Sequence, residues 1–293
     1  MTSIVIWRNE NKEEFMPGLW AVSDSRVSSS NSVLTDNYPK LSAIHAMSYQ
    51  SGDFPRKHPR HLFSIGFAFA GSTLIGSTVR EMLSTLLSGL KEIDYYDAPD
   101  LSFDEKIPSL KEVADLAGRI ASKYVVSLGV HYPSNARIEL VIFGHCVKTN
   151  SLRIFRLRNS PGAPAIVTVV EMPLHERDFF VFGDKPSEVE IAILEKRTTF
   201  QHHSLDWDRA PILVMLEIAQ DPNFSSIGGS LQLCATGKFG IRHLPLTKPG
   251  EQLFVGFDMF EGNPLIGGFS YVHSFSLSHP NSDGWECSTK TQD

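Results

Sequence analysis

The order of apolar segments constrains this chain most. Short apolar runs with strand character come first, at 3–7 (Ser-Ile-Val-Ile-Trp), 19–23 (Leu-Trp-Ala-Val-Ser) and 62–70. Two helical stripes follow. Ile75, Val79, Met82, Leu83, Leu86, Leu87 and Leu90 share one face at helical spacing, with Ser72 or Thr73 as cap. After Pro108, a second face carries Leu110, Val113, Ala114, Ala117, Ala121, Tyr124 and Val125. Strands are then expected at 137–143, 152–158, 165–171 and 178–182. Helices are expected at about 187–197 and about 208–220, with Pro211 tolerable only near a first turn. A hairpin at 231–236 and 239–244 turns around Gly237-Lys238. Runs of strands alternating with pairs of helices predict an α+β fold: a four-layer αββα sandwich, two packed sheets with helices outside. No repeat of 20–50 residues supports a solenoid or propeller.

The 293 residues are 42% apolar and 20% charged, which is ample for a packed core and excludes general disorder. A net charge of −6 argues against a broad basic face, so neither nucleic acid nor an anionic membrane is expected as a partner. No apolar run approaches the ~20 residues of a bilayer span. The start, Met1 to Trp7, lacks a basic segment and a long apolar one, so no signal peptide is expected. Cys146, Cys234 and Cys287 form no CxxC and no disulfide framework. A cytoplasmic protein with reduced thiols is the expectation. Residues 24–40 read as a Ser- and Asn-rich stretch along a surface or cleft. Residues 45–61 read as an inserted loop with the basic run Arg56-Lys57-His58-Pro59-Arg60-His61. Such a run is either a solvated loop or a grip on a phosphate or an acidic partner.

Thr2 is the first chemical candidate. Met aminopeptidases remove Met1 when the second residue is small, leaving a hydroxyl and a free α-amine on one residue. An α-amine, with a reference pKa of about 7.7–8.0, is a suitable base for that hydroxyl at neutral pH. Asp24 follows the second strand, and Lys40 lies sixteen positions later. Lys40 would hold a positive charge beside the hydroxyl and amine, favouring an alkoxide-like transition state and a neutral amine. Asp24 is the carboxylate that would hold Lys40. Gly71 ends a strand just before a helix N-terminus, where unpaired N–H donors suit an oxyanion.

With Thr2, Asp24, Lys40 and the Gly71-Ser72-Thr73 turn in this order, the sequence resembles the proteasome-type N-terminal-nucleophile hydrolases. It looks most like the bacterial members: the short bacterial proteasome β-subunit homologues and the HslV-type peptidase partner of the bacterial unfoldase. The resemblance covers 2–90 with specific motifs, and 137–244 by element order. It implies a family domain over 2–248 and a partly flexible extension over 249–293. It implies a threonine-type peptidase acting on peptides or unfolded proteins inside a homo-oligomeric ring, with an ATPase unfoldase as a further partner and no cofactor. Thr2, Asp24, Lys40 and Gly71 would be catalytic, while Arg26 and Ser72 would bind substrate. The sequence departs from the pattern at three places. Asp184, in Gly183-Asp184, stands where relatives have a Ser that contacts the N-terminus. Phe224 and Ile227, before Gly228-Gly229, stand where an Asp and a Ser are usual. An inactive scaffold or binding subunit, and an amidohydrolase acting on small molecules, are the alternatives.

Other candidates carry a plainer reading. His202 and His203 are adjacent and point apart unless on a loop, and Gly144-His145-Cys146 ends a strand whose neighbours diverge. There is no GxGxxG, P-loop or HExxH.

Overall fold

The computed structural model describes residues 2–9, 11, 16–29, 32–49, 59–92, 102–175, 178–248, 251–259, 261, 265–271 and 277–278. Met1, Arg56, Lys57, His58 and Cys287 lie outside these residues.

β1 (Ser3–Asn9) and β2 (Gly18–Ser23) form the expected antiparallel hairpin, with Val5 opposite Val22 and Trp7 opposite Trp20. Apart from Arg8, every residue of both strands is buried, as a continuous apolar run predicts better than a strict alternation would. The stretch read as irregular at 24–40 contains a small hairpin, β3 (Val27–Ser29) with β4 (Ser32–Thr35). β5 (Leu41–Tyr49) and β6 (Arg60–Gly71) take up both ends of the segment expected as an inserted loop. α1 (Thr73–Ser88) is capped by Ser72 and buries Ile75, Val79, Leu83 and Leu87, while Met82 and Leu86 from the predicted stripe stay exposed. β7 (Leu90–Lys91) and the short α2 (Phe103–Lys106) lead to α3 (Leu110–His131). There Ser109 and Glu112 form a reciprocal capping box that fixes the start.

β8 (Ile138–Cys146), β9 (Ser151–Ser160), β10 (Ala163–Glu171) and β11 (Phe179–Gly183) match the predicted strands. α4 (Pro186–Thr198) follows, then α5 (Leu205–Gln220). α5 starts three residues before the expected position, capped by Ser204, so Pro211 is a buried residue of its second turn rather than its first. β12 (Gln232–Gly237) and β13 (Gly240–His243) form the late hairpin. The tail adds β14 (Leu246–Lys248), β15 (Glu251–Phe254), β16 (Phe257–Asp258), β17 (Leu265–Ile266), β18 (Phe269–Ser270) and β19 (Leu277–Ser278).

The chain divides into two compact units. The first comprises Met1–Leu41, Asp178–Ala235 and Arg242–Asp293. Its main sheet has the order β11-β1-β2-β12-β13. Val5, Trp7, Trp20 and Val22 pack with Val189 and Ile193 of α4 and with Ile212, Met215 and Ile218 of α5. Trp7 and Trp20 lie 6.0 Å apart at the centre, and truncating either to Ala should cost about 3–5 kcal/mol. The second unit comprises Ser42–Arg177 and Thr236–Ile241. Its sheet has the order β10-β9-β8-β6-β5-β7, with α3 packed on β8, β9 and β10 and α1 packed on β6.

The expected four-layer αββα sandwich is therefore corrected. The described residues are dominated by sheet: nineteen strands in five sheets against four helices longer than one turn. The physical reason lies in strand length. Periodicity finds long helices and long strands, but the two- to four-residue strands of 27–35 and 246–278 are too short to alternate visibly. Nor does periodicity say which sheet a strand joins. Among the described residues no helix is long and apolar enough to cross a membrane.

Candidate active site

Strand register builds this site. β1 lies between β2 and β11, both antiparallel to it, so both neighbours end where β1 begins. Ser3 pairs with Gly183 and Ile4 with Ser23. The residues that follow those strand ends, Asp184 and Asp24, consequently flank residues 2 and 3. Asp184 N–H donates to the Thr2 carbonyl at 2.7 Å, and Ser3 N–H donates to Asp24 Oδ1 at 3.1 Å. Thr2 is buried, with its backbone pinned on both sides.

Asp24 is fully buried, and four donors surround its carboxylate. Besides Ser3, Oδ2 accepts from Lys40 Nζ at 3.0 Å, from Arg26 N–H at 3.1 Å and from Gly228 N–H at 3.3 Å. Lys40 is 2% exposed, and its ammonium also donates to the Arg26 carbonyl. Its third hydrogen has no acceptor among the described residues. Burial pushes the Asp24 carboxyl up and the Lys40 ammonium down; each one's charge and their mutual hydrogen bond pull the other way. Burial is the larger influence on both groups, and the three backbone N–H groups and the ammonium, which suit an anion better than a neutral acid, offset part of it.

Gln232 fixes the approach of Lys40. Its Oε1 accepts from the Lys40 and Leu41 amides at 3.0 and 3.2 Å. Its Nε2 donates to the Asp24 and Tyr38 carbonyls at 3.1 and 3.0 Å. All four hydrogen-bonding positions of the amide are used. Sequence reading missed Gln232; the available signal was a lone polar residue within the apolar run Leu231-Gln232-Leu233-Cys234-Ala235.

Arg26 is held in a half-exposed clamp. Nε and Nη2 donate to the Asp36 carboxylate at 2.7 and 3.3 Å, and Nη1 to the Ser225 carbonyl at 3.1 Å. The Asp36 carboxyl is accordingly lowered from its ordinary range by Arg26. Gly228 permits the clamp, because a Cβ there would lie 2.5 Å from the Arg26 guanidinium carbon.

The departures at 184, 224 and 227 have a local counterpart. Ile227 is a core residue, and Phe224 lies under the Lys185 ammonium at 4.4 Å. Ser226, one residue before Ile227, donates its hydroxyl to Asp184 Oδ2. A hydroxyl and a carboxylate thus meet beside residue 2, though not at the positions expected from sequence.

Gly71 and Ser72 belong to the second unit, at the β6–α1 junction. Gly71 has φ +90°, and a Cβ would lie 2.5 Å from the Arg137 carbonyl, so glycine is required there. Ser72 N–H donates to Arg137 O at 2.7 Å, and Ser72 Oγ accepts from Ile75 N–H at 3.4 Å as the helix cap. Elsewhere, the His202 and His203 rings lie 3.9 Å apart against Trp207. Cys146 is buried and accepts from Leu110 N–H at 3.4 Å, and Cys234 is buried with its thiol pushed up by burial.

No family model matches the chain, and no curated protein matches it. Solved structures do. Anbu (ancestral beta-subunit) from Yersinia bercovieri aligns with a TM-score of 0.52 at 16% identity, over 82% of this chain and 86% of that chain. A Gly-1 mutant of Anbu from Hyphomicrobium sp. strain MC1 aligns with a TM-score of 0.52 at 14% identity, over 83% and 86%. Anbu from the same strain aligns with a TM-score of 0.50 at 15% identity, over 82% and 85%. At these identities the likeness shows a related, proteasome-like fold and nothing finer. It also corrects the family resemblance. These structural relatives are Anbu proteins, a family distinct from the short proteasome homologues and the HslV-type peptidase that the motif pointed to. The motif had rested on a handful of positions, which define local geometry at a strand end and cannot separate families.

Proposed function

We propose that this chain is an N-terminal-threonine hydrolase that cleaves amide bonds in peptides or unfolded proteins after Met1 is removed. The observation that carries the reading is the dry Asp24 carboxylate joining the Ser3 amide to the Lys40 ammonium. In this reading the pair keeps a positive charge close to residue 2, where the ammonium would act on the Thr2 hydroxyl. A buried ion pair is a poor way to gain stability, since apolar residues of similar volume do as well or better. A role in chemistry gives it a reason to exist.

In this reading Thr2 Oγ attacks the scissile carbonyl carbon while its proton passes to the Thr2 α-amine. The C–N bond then breaks, and the same proton goes to the leaving nitrogen. Water hydrolyses the resulting ester and restores the hydroxyl. Lys40 stabilises the negative charge that develops on Oγ and disfavours protonation of the amine. The test is hydrolysis of a fluorogenic peptide library by the Met1-free protein. Turnover lost in Thr2→Ala with the fold retained supports the reading, and turnover by that variant contradicts it.

The reading extends to a homo-oligomeric ring with an ATPase unfoldase as partner for folded substrates. Exposed Leu74 on α1 and Val130 on α3 are apolar positions a second copy would cover. Mass photometry giving only a species of the chain mass, 32.6 kDa, would contradict the ring. Asp184 favours a second reading, a non-hydrolytic scaffold or binding subunit. A carboxylate beside residue 2 stabilises a protonated amine and weakens it as a base. Retention of Met1, read by intact mass, would decide for the scaffold.

A further inference from the structure

A cluster in the second unit plays no part in this chemistry. Ser64, on β6, is 7% exposed, and its hydroxyl oxygen lies 2.7 Å from His45 Nδ1 and 2.8 Å from His61 Nε2. His45 projects from β5, the neighbouring strand of the six-stranded sheet, and His61 precedes Ser64 by three residues on β6. Both imidazoles are exposed, and their rings lie 6.2 Å apart. The hydroxyl has a single proton, so it donates to only one of the two nitrogens. The other nitrogen must carry a proton and donate to the oxygen.

We propose that His45 and His61, converging on the Ser64 hydroxyl, form a two-histidine clip for an imidazole-preferring divalent ion, Zn²⁺ or Cu²⁺. Neutral imidazole suits these ions, whereas Mg²⁺ and Ca²⁺ call for oxygen ligands, and among the described residues no carboxylate bonds to the cluster. The two nitrogens already point at one position. Metal–nitrogen bonds of about 2.0–2.1 Å require them to draw closer than a shared hydroxyl does. Exposed rings on two strands can rotate by that amount while the backbone stays fixed. Water completes the coordination, and Ser64 donates its proton to a metal-bound water in place of an imidazole. The clip has two protein ligands, and among the described residues no group of three or more His, Cys, Asp and Glu could hold a metal. Its affinity is accordingly modest and rests on both rings.

The experiment is calorimetric titration of the full chain with Zn²⁺ alone, and with Cu²⁺ read by electron paramagnetic resonance. Wild type should bind one equivalent that His202→Ala/His203→Ala leaves in place, with two nitrogen donors in the Cu²⁺ spectrum. His45→Ala and His61→Ala should each weaken that equivalent at least tenfold. Ser64→Ala should weaken it less, because it removes a supporting hydrogen bond. Both histidines are exposed, so these variants should keep the wild-type melting temperature, which is checked in parallel. No bound equivalent in wild type, an equivalent untouched in the His45→Ala/His61→Ala double variant, or a site that takes inorganic phosphate and no metal would each overturn the proposal. Peptide turnover is not among the readouts, so the outcome is independent of the reading for Thr2.

Discussion

Asp24–Lys40 in the first unit and Lys111–Asp115 in the second are the same chemistry held in opposite ways. The α3 pair is the shorter, 2.6 Å against 3.0 Å, and its side chains are about half exposed. Water screens it, and the i,i+4 spacing makes it worth a few tenths of a kcal/mol. The Asp24–Lys40 pair is almost fully buried. Taking two charges out of water is costly, and only the Ser3, Arg26 and Gly228 amides around the carboxylate, with Gln232 behind Lys40, make it tolerable. Distance therefore does not rank the two pairs; solvent and the completeness of the hydrogen bonds do. A pair built at such expense is sensitive to every part around it, while its surface counterpart is indifferent.

The contrast is broken most severely by Lys40→Ala, which leaves Asp24 buried and unpaired. It should cost about 3–5 kcal/mol in denaturant melts, and several orders of magnitude in any peptide turnover. Lys40→Arg should lose nearly as much turnover, since a planar guanidinium does not replace a point ammonium. Asp24→Asn keeps the shape and removes the charge; a loss of about 1.5–3 kcal/mol is expected, with turnover falling in step. Gln232→Ala touches neither charge. It should still cost about 1–3 kcal/mol, because it strands two amides and two carbonyls. If it proves neutral, the pair does not depend on its scaffold.

The smaller effects lie at the solvent-facing pairs. Arg26 holds the folded-state pKa of Asp36 below its unfolded value of about 3.9. The stabilisation from this pair is present above that value and is lost as pH falls through the lower, folded one. Asp36 is about half exposed, so Asp36→Asn should remove less than about 1 kcal/mol at pH 7 and nothing at the acid end, read by melts across pH 2–7. Lys111→Ala should change stability by no more than about 0.5 kcal/mol.

Sequence made the long elements legible because they announce themselves chemically. Ile75, Val79, Leu83 and Leu87 spell a helix face, and Ser72 and Ser109 mark helix starts. The Asp24–Lys40 pairing was legible from its place after β2. Gln232 and Ser226 were not, because each meets its partner across 42 to 208 positions of chain that only the folded register brings together. Layering was illegible for a related reason. Short strands such as Phe257–Asp258 and Leu265–Ile266 carry too few residues for a period, and their sheets are defined by partners far along the chain.

Everything assigned to Thr2 depends on its hydroxyl and amine being free together. A peptide epoxyketone tests this directly, because its morpholine adduct requires both groups on one residue. The protein is incubated with the probe, digested and mapped by mass spectrometry. Met1 should be absent and the adduct should sit on Thr2, with labelling abolished in Thr2→Ala and greatly slowed in Lys40→Ala. Met1 retained on the folded protein, or labelling that persists in Thr2→Ala, would contradict the assignment.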